Sequence, residues 1–289
     1  MNYLLNFTGV CLHLHESVSL HVSVIGHLIL SDNLVNVDCS PKLELYVKQS
    51  HSTTSEAQHS PSSIQKAIAE FVGTYILLFA GCGAALVNER LPITIVDIAI
   101  VSGFALTVAI YSVGHVSGAH FNPAVTIALA VVQKIQLKLV PVYVLCQLMG
   151  ATLATLTLKV LYHDKVDIGV TVTQYSNSTS DLEALVWESI ITFILVLIIC
   201  GVATDHRGSK ELAGVAIGIS VTINIIIAGP ITGASMNPAR SVGPAIVSGN
   251  YKNIWVFIIG PTVGAVFATV LYTFLRVTKP AQPEEPCHV

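Results

Sequence analysis

The sequence predicts an all-α membrane protein: six transmembrane helices plus two half-helices in an inverted repeat. Three observations carry that prediction. Six apolar runs approach or exceed the length that crosses a bilayer. Two shorter apolar segments each open with Asn-Pro-Ala. The two halves that hold these segments match each other in order and spacing.

The apolar runs cover roughly 67–87, 93–113, 139–161, 184–203, 212–229 and 254–275, against the about 17–25 residues a spanning helix needs. The chain is 53% hydrophobic and 11% charged, whereas soluble domains carry about 25% charge. An even number of spans places both termini on one side. Lys66, Lys134, Lys138, Arg207, Lys210, Arg276 and Lys279 flank one face; Arg90, Lys159, Lys165 and Lys252 flank the other. The first face is richer, so both termini are expected in the cytoplasm. Asn177-Ser178-Thr179 then falls in an outer loop, as a candidate N-glycosylation acceptor. The net charge of −3 gives no basic footprint, and no nucleic-acid partner is expected.

Domain boundaries follow the composition. Residues 1–61 read as a disordered cytoplasmic tail, 62–279 as the membrane domain and 280–289 as a cytoplasmic C-terminal tail. Val18 to Leu30 is short for a span and is interrupted by His21, Ser23, Gly26 and His27. His13, His15, His21 and His27 have no Cys partner at ligand spacing, so no metal is expected. Cys11, Cys39, Cys82, Cys146, Cys200 and Cys287 show no CxxC spacing. Cys82, Cys146 and Cys200 fall in apolar runs, as small core residues rather than disulfide partners.

Pro123 to Val132 and Pro238 to Val247 are ten residues each. As helices they are about 15 Å long, half of a hydrocarbon core of about 30 Å. Asn122 and Asn237 are good N-caps, and Pro123 and Pro238 suit the first helical position. Each Asn-Pro-Ala therefore reads as the start of a half-helix.

The repeat is visible in the residues. Ser117-Gly118-Ala119-His120-Phe121-Asn122-Pro123-Ala124 matches Thr232-Gly233-Ala234-Ser235-Met236-Asn237-Pro238-Ala239, with the Asn residues 115 positions apart. Glu70 and Glu188 sit in a second matching stretch, 118 apart. Three spans per half invert the second half relative to the first. The half-helices then enter from opposite faces and meet at their N-termini. The stretches leading in, Gly114 to Phe121 and Gly229 to Met236, are rich in Gly, Ser and Thr and read as irregular backbone. At membrane depth such backbone persists only where it lines a water-filled cavity or is buried in protein. Arg240 follows the second Asn-Pro-Ala, whereas Val125 stands at the matching place in the first. An Arg at membrane depth costs at least about 2.5–3.5 kcal/mol, so it too demands water or a partner.

Paired Asn-Pro-Ala half-helices in a six-span inverted repeat, with Arg after the second, resemble the aquaporin, or major intrinsic protein, family. The resemblance runs from about Ile64 to Arg276. Ala80-Gly81-Cys82-Gly83-Ala84, Gly114 to His120, Gly201 to Asp205 and Ala228 to Met236 look like the plant nodulin-26-like intrinsic proteins. This implies a passive channel for water and small uncharged solutes that excludes protons and ions. It also implies a homotetramer with one pore per subunit in the lipid bilayer, expected at the plasma membrane, with no cofactor. The four positions of the family's outer constriction fall on Ser102, Ile225, Ala234 and Arg240. Water-selective relatives typically have Phe and His at the first two, and many nodulin-26-like members have Trp at the first. Small Ser102 and Ala234 with apolar Ile225 imply a wider opening that passes glycerol, urea or boric acid.

The residues support a mechanism of their own. Each half-helix N-terminus carries about +0.5 of an elementary charge, and two facing ones repel cations. Asn122 and Asn237 offer side-chain N–H groups that reorient a file of water and interrupt proton hopping. Arg240 adds fixed charge and donors toward the outer side. Glu70 and Glu188 could be proton carriers, but their similar placement in both halves favours scaffolding of the pore loops. His115 and His120 read as neutral lining or packing groups rather than as a proton gate. Gly214-x-x-x-Gly218 and Gly260-x-x-x-Gly264 permit close helix packing. Thr278 is a weak candidate for phosphorylation, and Asp97 receives no role.

Rival classes make different demands. A coupled secondary transporter of a small neutral solute also fits inverted repeats, but needs an ionisable relay at the midplane. An adhesive or structural protein would have no use for Arg240. No nucleophile, metal cluster or phosphate loop suggests an enzyme.

Overall fold

The computed structural model describes residues 60–277. The expectations for the N-terminal tail up to residue 59, for the C-terminal tail and for Thr278 lie outside the described residues. Among the described residues, eight α-helices follow in order: α1 Ser63–Asn88, α2 Ile95–Ser117, α3 Pro123–Val131, α4 Val140–Tyr162, α5 Asp181–Ile199, α6 Ala213–Thr232, α7 Pro238–Ser248 and α8 Ile254–Leu275. Six are long and apolar enough to cross a membrane; α3 and α7 are the short ones. A π-helical turn, Cys200–Thr204, extends α5.

Local sequence explains where the helices start and stop. Ser62 with Gln65, Thr94 with Asp97 and Ser180 with Glu183 form capping boxes at α1, α2 and α5, pairing N–H groups that the first turn leaves free. Gly118 (φ 94°) and Gly233 (φ 79°) end α2 and α6 in the left-handed conformation, where a glycine pays no Cβ penalty. The irregular backbone is therefore shorter than expected. It begins at Gly118 and Gly233, not at Gly114 and Gly229, and α6 continues through Pro230. Membrane helices tolerate such a proline because neighbouring groups can re-satisfy the backbone it frees.

The two halves share one packing plan. In the first, α1 lies against α2 and α4; in the second, α5 lies against α6 and α8. The halves join where α2 crosses α6. Gly103 and Gly218 face each other there, and a Cβ on either would run into the other's backbone and a threonine hydroxyl. Thr107 donates to the Gly214 carbonyl (3.1 Å), and Thr222 donates to that of Ala99 (3.2 Å), a symmetric pair across the crossing. Each half-helix packs on the third span of the opposite half: α3 on α8, and α7 on α4. Phe104, Val108, Ile219 and Phe267 point outward, an apolar surface suited to lipid.

Candidate pore

Two buried carboxylates fix the segments between the long and short helices. Glu70 Oε1 accepts from the Ser117 hydroxyl (2.6 Å) and the His120 N–H (3.0 Å). Its Oε2 accepts from the Phe121 N–H (2.7 Å) and Gln147 Nε2 (2.8 Å). Glu188 repeats the arrangement: Oε1 accepts from the Thr232 hydroxyl (2.7 Å) and the Ser235 N–H (2.9 Å), and Oε2 from the Met236 N–H (2.9 Å). Hydrogen bonds to a charged group are worth about 1.5–3 kcal/mol each. They hold a costly backbone, since Ala119 (φ 52°), Phe121 (49°), Ala234 (44°) and Met236 (53°) are all left-handed without being glycine. Each such residue costs about 1–2 kcal/mol, so two or three charged hydrogen bonds per segment are enough to keep it.

The short helices meet N-terminus to N-terminus. Asn122 Oδ1 accepts from the Ala124 N–H (2.9 Å), while its Nδ2 donates to the Met236 carbonyl (2.8 Å). Asn237 Oδ1 accepts from the Ala239 N–H (2.9 Å), while its Nδ2 donates to the Phe121 carbonyl (2.9 Å). Each amide thus caps its own helix and anchors the other half's loop. One N–H of each Nδ2 remains beyond these bonds, and both side chains lie on a cavity wall. Pro123, Ala124, Pro238 and Ala239 are buried behind it.

That cavity, of about 320 Å³, also receives Ser102, Ile225, Ala234 and Arg240 on its lining. Ser102 turns its hydroxyl back to the Ile98 carbonyl (2.8 Å), and a Cβ on the neighbouring Gly81 would lie 3.2 Å from that hydroxyl. The wall is consequently bare at this point. Arg240 Nη1 donates to the Thr171 carbonyl (2.7 Å), from the loop between α4 and α5. Glu70 and Glu188 lie behind the loops and off the lining. His120 lines the cavity, with Nδ1 3.1 Å from the Thr126 hydroxyl, whereas His115 is exposed outside it. Asn177 is exposed in the turn that the Thr179 N–H closes onto the Ser176 carbonyl (2.9 Å).

Sequence reasoning missed Gln147, Thr171, Thr173 and Ser241. Gln147 was detectable as a lone amide within an apolar span, since a buried amide needs partners. The two threonines gave no signal, because they lie in a loop whose burial only the fold reveals.

At the far end of α5, Asp205 takes two hydrogen bonds from the Arg207 side chain (2.7 and 3.2 Å) and one from the Tyr272 hydroxyl (3.0 Å). The Arg207 side-chain and backbone donors hold its carboxyl well below the usual carboxylate range. The loop between α5 and α6 is thereby tied to α8.

These features can be set beside known proteins. The major intrinsic protein family profile matches residues 57–272. Nodulin-26 of Glycine max is 47% identical over 81% of this chain and 88% of its own length. Aquaporin NIP1-1 of Oryza sativa subsp. japonica is 49% identical over 74% and 75%. Among solved structures, the aquaglyceroporin from Plasmodium falciparum superposes with a TM-score of 0.68 at 30% identity, over 73% of this chain and 96% of its own. Two facing half-helices in an inverted six-span bundle define a membrane channel. The chain belongs to the major intrinsic protein family, and it is a passive channel for water and small solutes.

Proposed function

We propose that this channel admits neutral, hydrogen-bonding solutes larger than water, such as glycerol, urea or boric acid, and excludes protons and ions. The observation that carries the reading is the collar around Arg240. Ser102 and Ala234 are small and Ile225 is apolar, while the aromatic rings on the lining, His120 and Phe121, belong to the loop that leads to Asn122 in the other half. Similarity to an aquaglyceroporin supports the same direction.

Exclusion belongs to the meeting of the half-helices. Two N-termini, each worth about +0.5 of an elementary charge, face one cavity and oppose a passing cation. The spare N–H of Asn122 and of Asn237 donates to the oxygen of a solute or water in transit. A water held by both turns its own hydrogens away from the centre, which breaks a proton wire. Admission belongs to the collar, where Arg240 supplies donors and charge while Ser102 and Ala234 leave width. Glu70 and Glu188 act as scaffolds, because every hydrogen bond they accept fixes a loop or a neighbouring helix.

Family membership supports a homotetramer of such pores. The lysine and arginine distribution supports cytoplasmic termini, and the plasma membrane remains the location we favour. The sequon at Asn177, on an exposed turn, is our candidate glycosylation site. We retain 62–279 as the channel domain between two cytoplasmic tails.

Proteoliposome flux tests the admission claim. Wild type should pass glycerol and boric acid well above empty vesicles. Ser102→Trp should cut glycerol flux at least about tenfold, the loss of about 1.4 kcal/mol, while sparing water. Water conduction by wild type with strict exclusion of glycerol and boric acid would overturn the reading.

A further inference from the structure

The loop between α4 and α5 is buried where it meets α7: Thr171 (0%), Val172 (9%) and Thr173 (3%) are almost inaccessible. Connecting segments normally run over the surface, because buried backbone must find partners. Here the partners are pore elements. The Thr171 carbonyl holds Arg240, and the Ser176 N–H reaches the Ile231 carbonyl (3.0 Å). Thr173 contributes its side chain. Its Oγ1 lies 2.9 Å from Ser241 Oγ, which lies 2.6 Å from Ser235 Oγ, which lies 3.0 Å from the Asn237 carbonyl. All three hydroxyls are buried. The chain of contacts begins on the loop, passes the residue after Arg240 and ends at the cap of α7.

The first half solves the same problem differently. Thr126 occupies the place of Ser241, and its hydroxyl is held by Gln147 Nε2 (2.9 Å) from the body of α4. A rigid helix supplies the anchor there. In the second half a loop does, and that same loop carries the carbonyl on which Arg240 rests.

We propose that Thr173 is a positioning residue for Arg240. Its hydroxyl, through Ser241, seats the loop so that the Thr171 carbonyl holds the guanidinium against the cavity wall. The width of the outer collar therefore depends on a side chain outside it. This inference rests on the reading of Arg240 as part of that collar.

The test is the ratio of glycerol to water permeability in proteoliposomes of full-length protein. Thr173→Val keeps the shape and removes the hydroxyl; it should release Arg240 and raise the ratio about threefold, at the low end of coupling between contacting residues. Ser241→Ala, which breaks the chain from its other side, should do the same. Thr173→Ser, which restores the hydroxyl, should return the ratio to that of wild type. A merely structural role would lower both fluxes together and leave the ratio unchanged, which would overturn the proposal. In an Arg240→Ala background Thr173→Val should change nothing further; an additional shift there would also overturn it. Arg240→Ala separates the two layers: if it leaves the ratio unchanged the collar reading fails, and if it shifts the ratio while Thr173→Val does not, only the positioning role fails.

Discussion

The two pore segments, Ser117 to Thr126 and Thr232 to Ser241, are built alike up to their caps and differently after them. Both carry a hydroxyl and two backbone N–H groups bonded to a buried glutamate, two non-glycine left-handed residues, and an Asn whose amide reaches the other segment. Past the caps, Val125 stands in the first segment at the position that Arg240 holds in the second, and an anchor from a helix is replaced by one from a loop. The shared part is what two inverted half-helices need in order to meet at all. The unshared part lies on one side only, where a channel can discriminate without disturbing the meeting. On the proposed reading, symmetry marks scaffolding and its breakage marks selection.

Each prediction tests that division. The largest effect is expected at the carboxylates. Glu188→Ala leaves two buried N–H groups and a hydroxyl without their acceptor, at about 1–3 kcal/mol each, so thermal unfolding in detergent should show little or no stable protein. Glu70→Ala should be comparably severe, since four donors converge on that residue. A mild phenotype at either would break the claim that the shared part is scaffold. Next, Gly103→Ala and Gly218→Ala should each cost about 1–3 kcal/mol by overpacking the α2–α6 crossing. Because the crossing is symmetric, their losses should be similar; a large difference would show that the halves are not equivalent there. Arg240→Ala should leave stability nearly unchanged and raise glycerol flux relative to water, whereas Val125→Ala should leave that ratio unchanged.

The smallest effect concerns pH. Asp205 is held below its ordinary value, so the stability of its tie to Arg207 and Tyr272 is present above the unfolded value of about 4 and is lost only as pH falls through the lower folded value. Glycerol flux should be flat between about pH 5 and 8 as far as this tie is concerned, and Asp205→Asn should leave that profile flat. A step in this window that Asp205→Asn removes would contradict the assignment.

Much of this was legible in the chain. The spans follow from hydropathy, and the half-helices from two Asn-Pro starts whose chemistry is local. The segment lengths were less so. Gly114 and Gly229 looked like the end of regular structure, but the stops are Gly118 and Gly233, the residues that adopt positive φ. A glycine inside a membrane helix can serve close packing as well as termination; Gly229, for instance, lies against Ile95. The first half-helix ends at Val131 and the second runs to Ser248, one residue off in each case. Glu70 and Glu188 were visible as acids in apolar runs. Thr173 was not, because its role depends on a loop folding back against residues more than sixty positions away.

The central claim is that one passage is wide at the collar and proton-tight where the half-helices meet. Glycerol influx and proton leak, measured in the same proteoliposomes, test it most directly. The account predicts glycerol influx that rises in proportion to its gradient without saturating, with a proton leak equal to that of empty vesicles. Saturating influx driven by a proton gradient would contradict it and favour a coupled transporter.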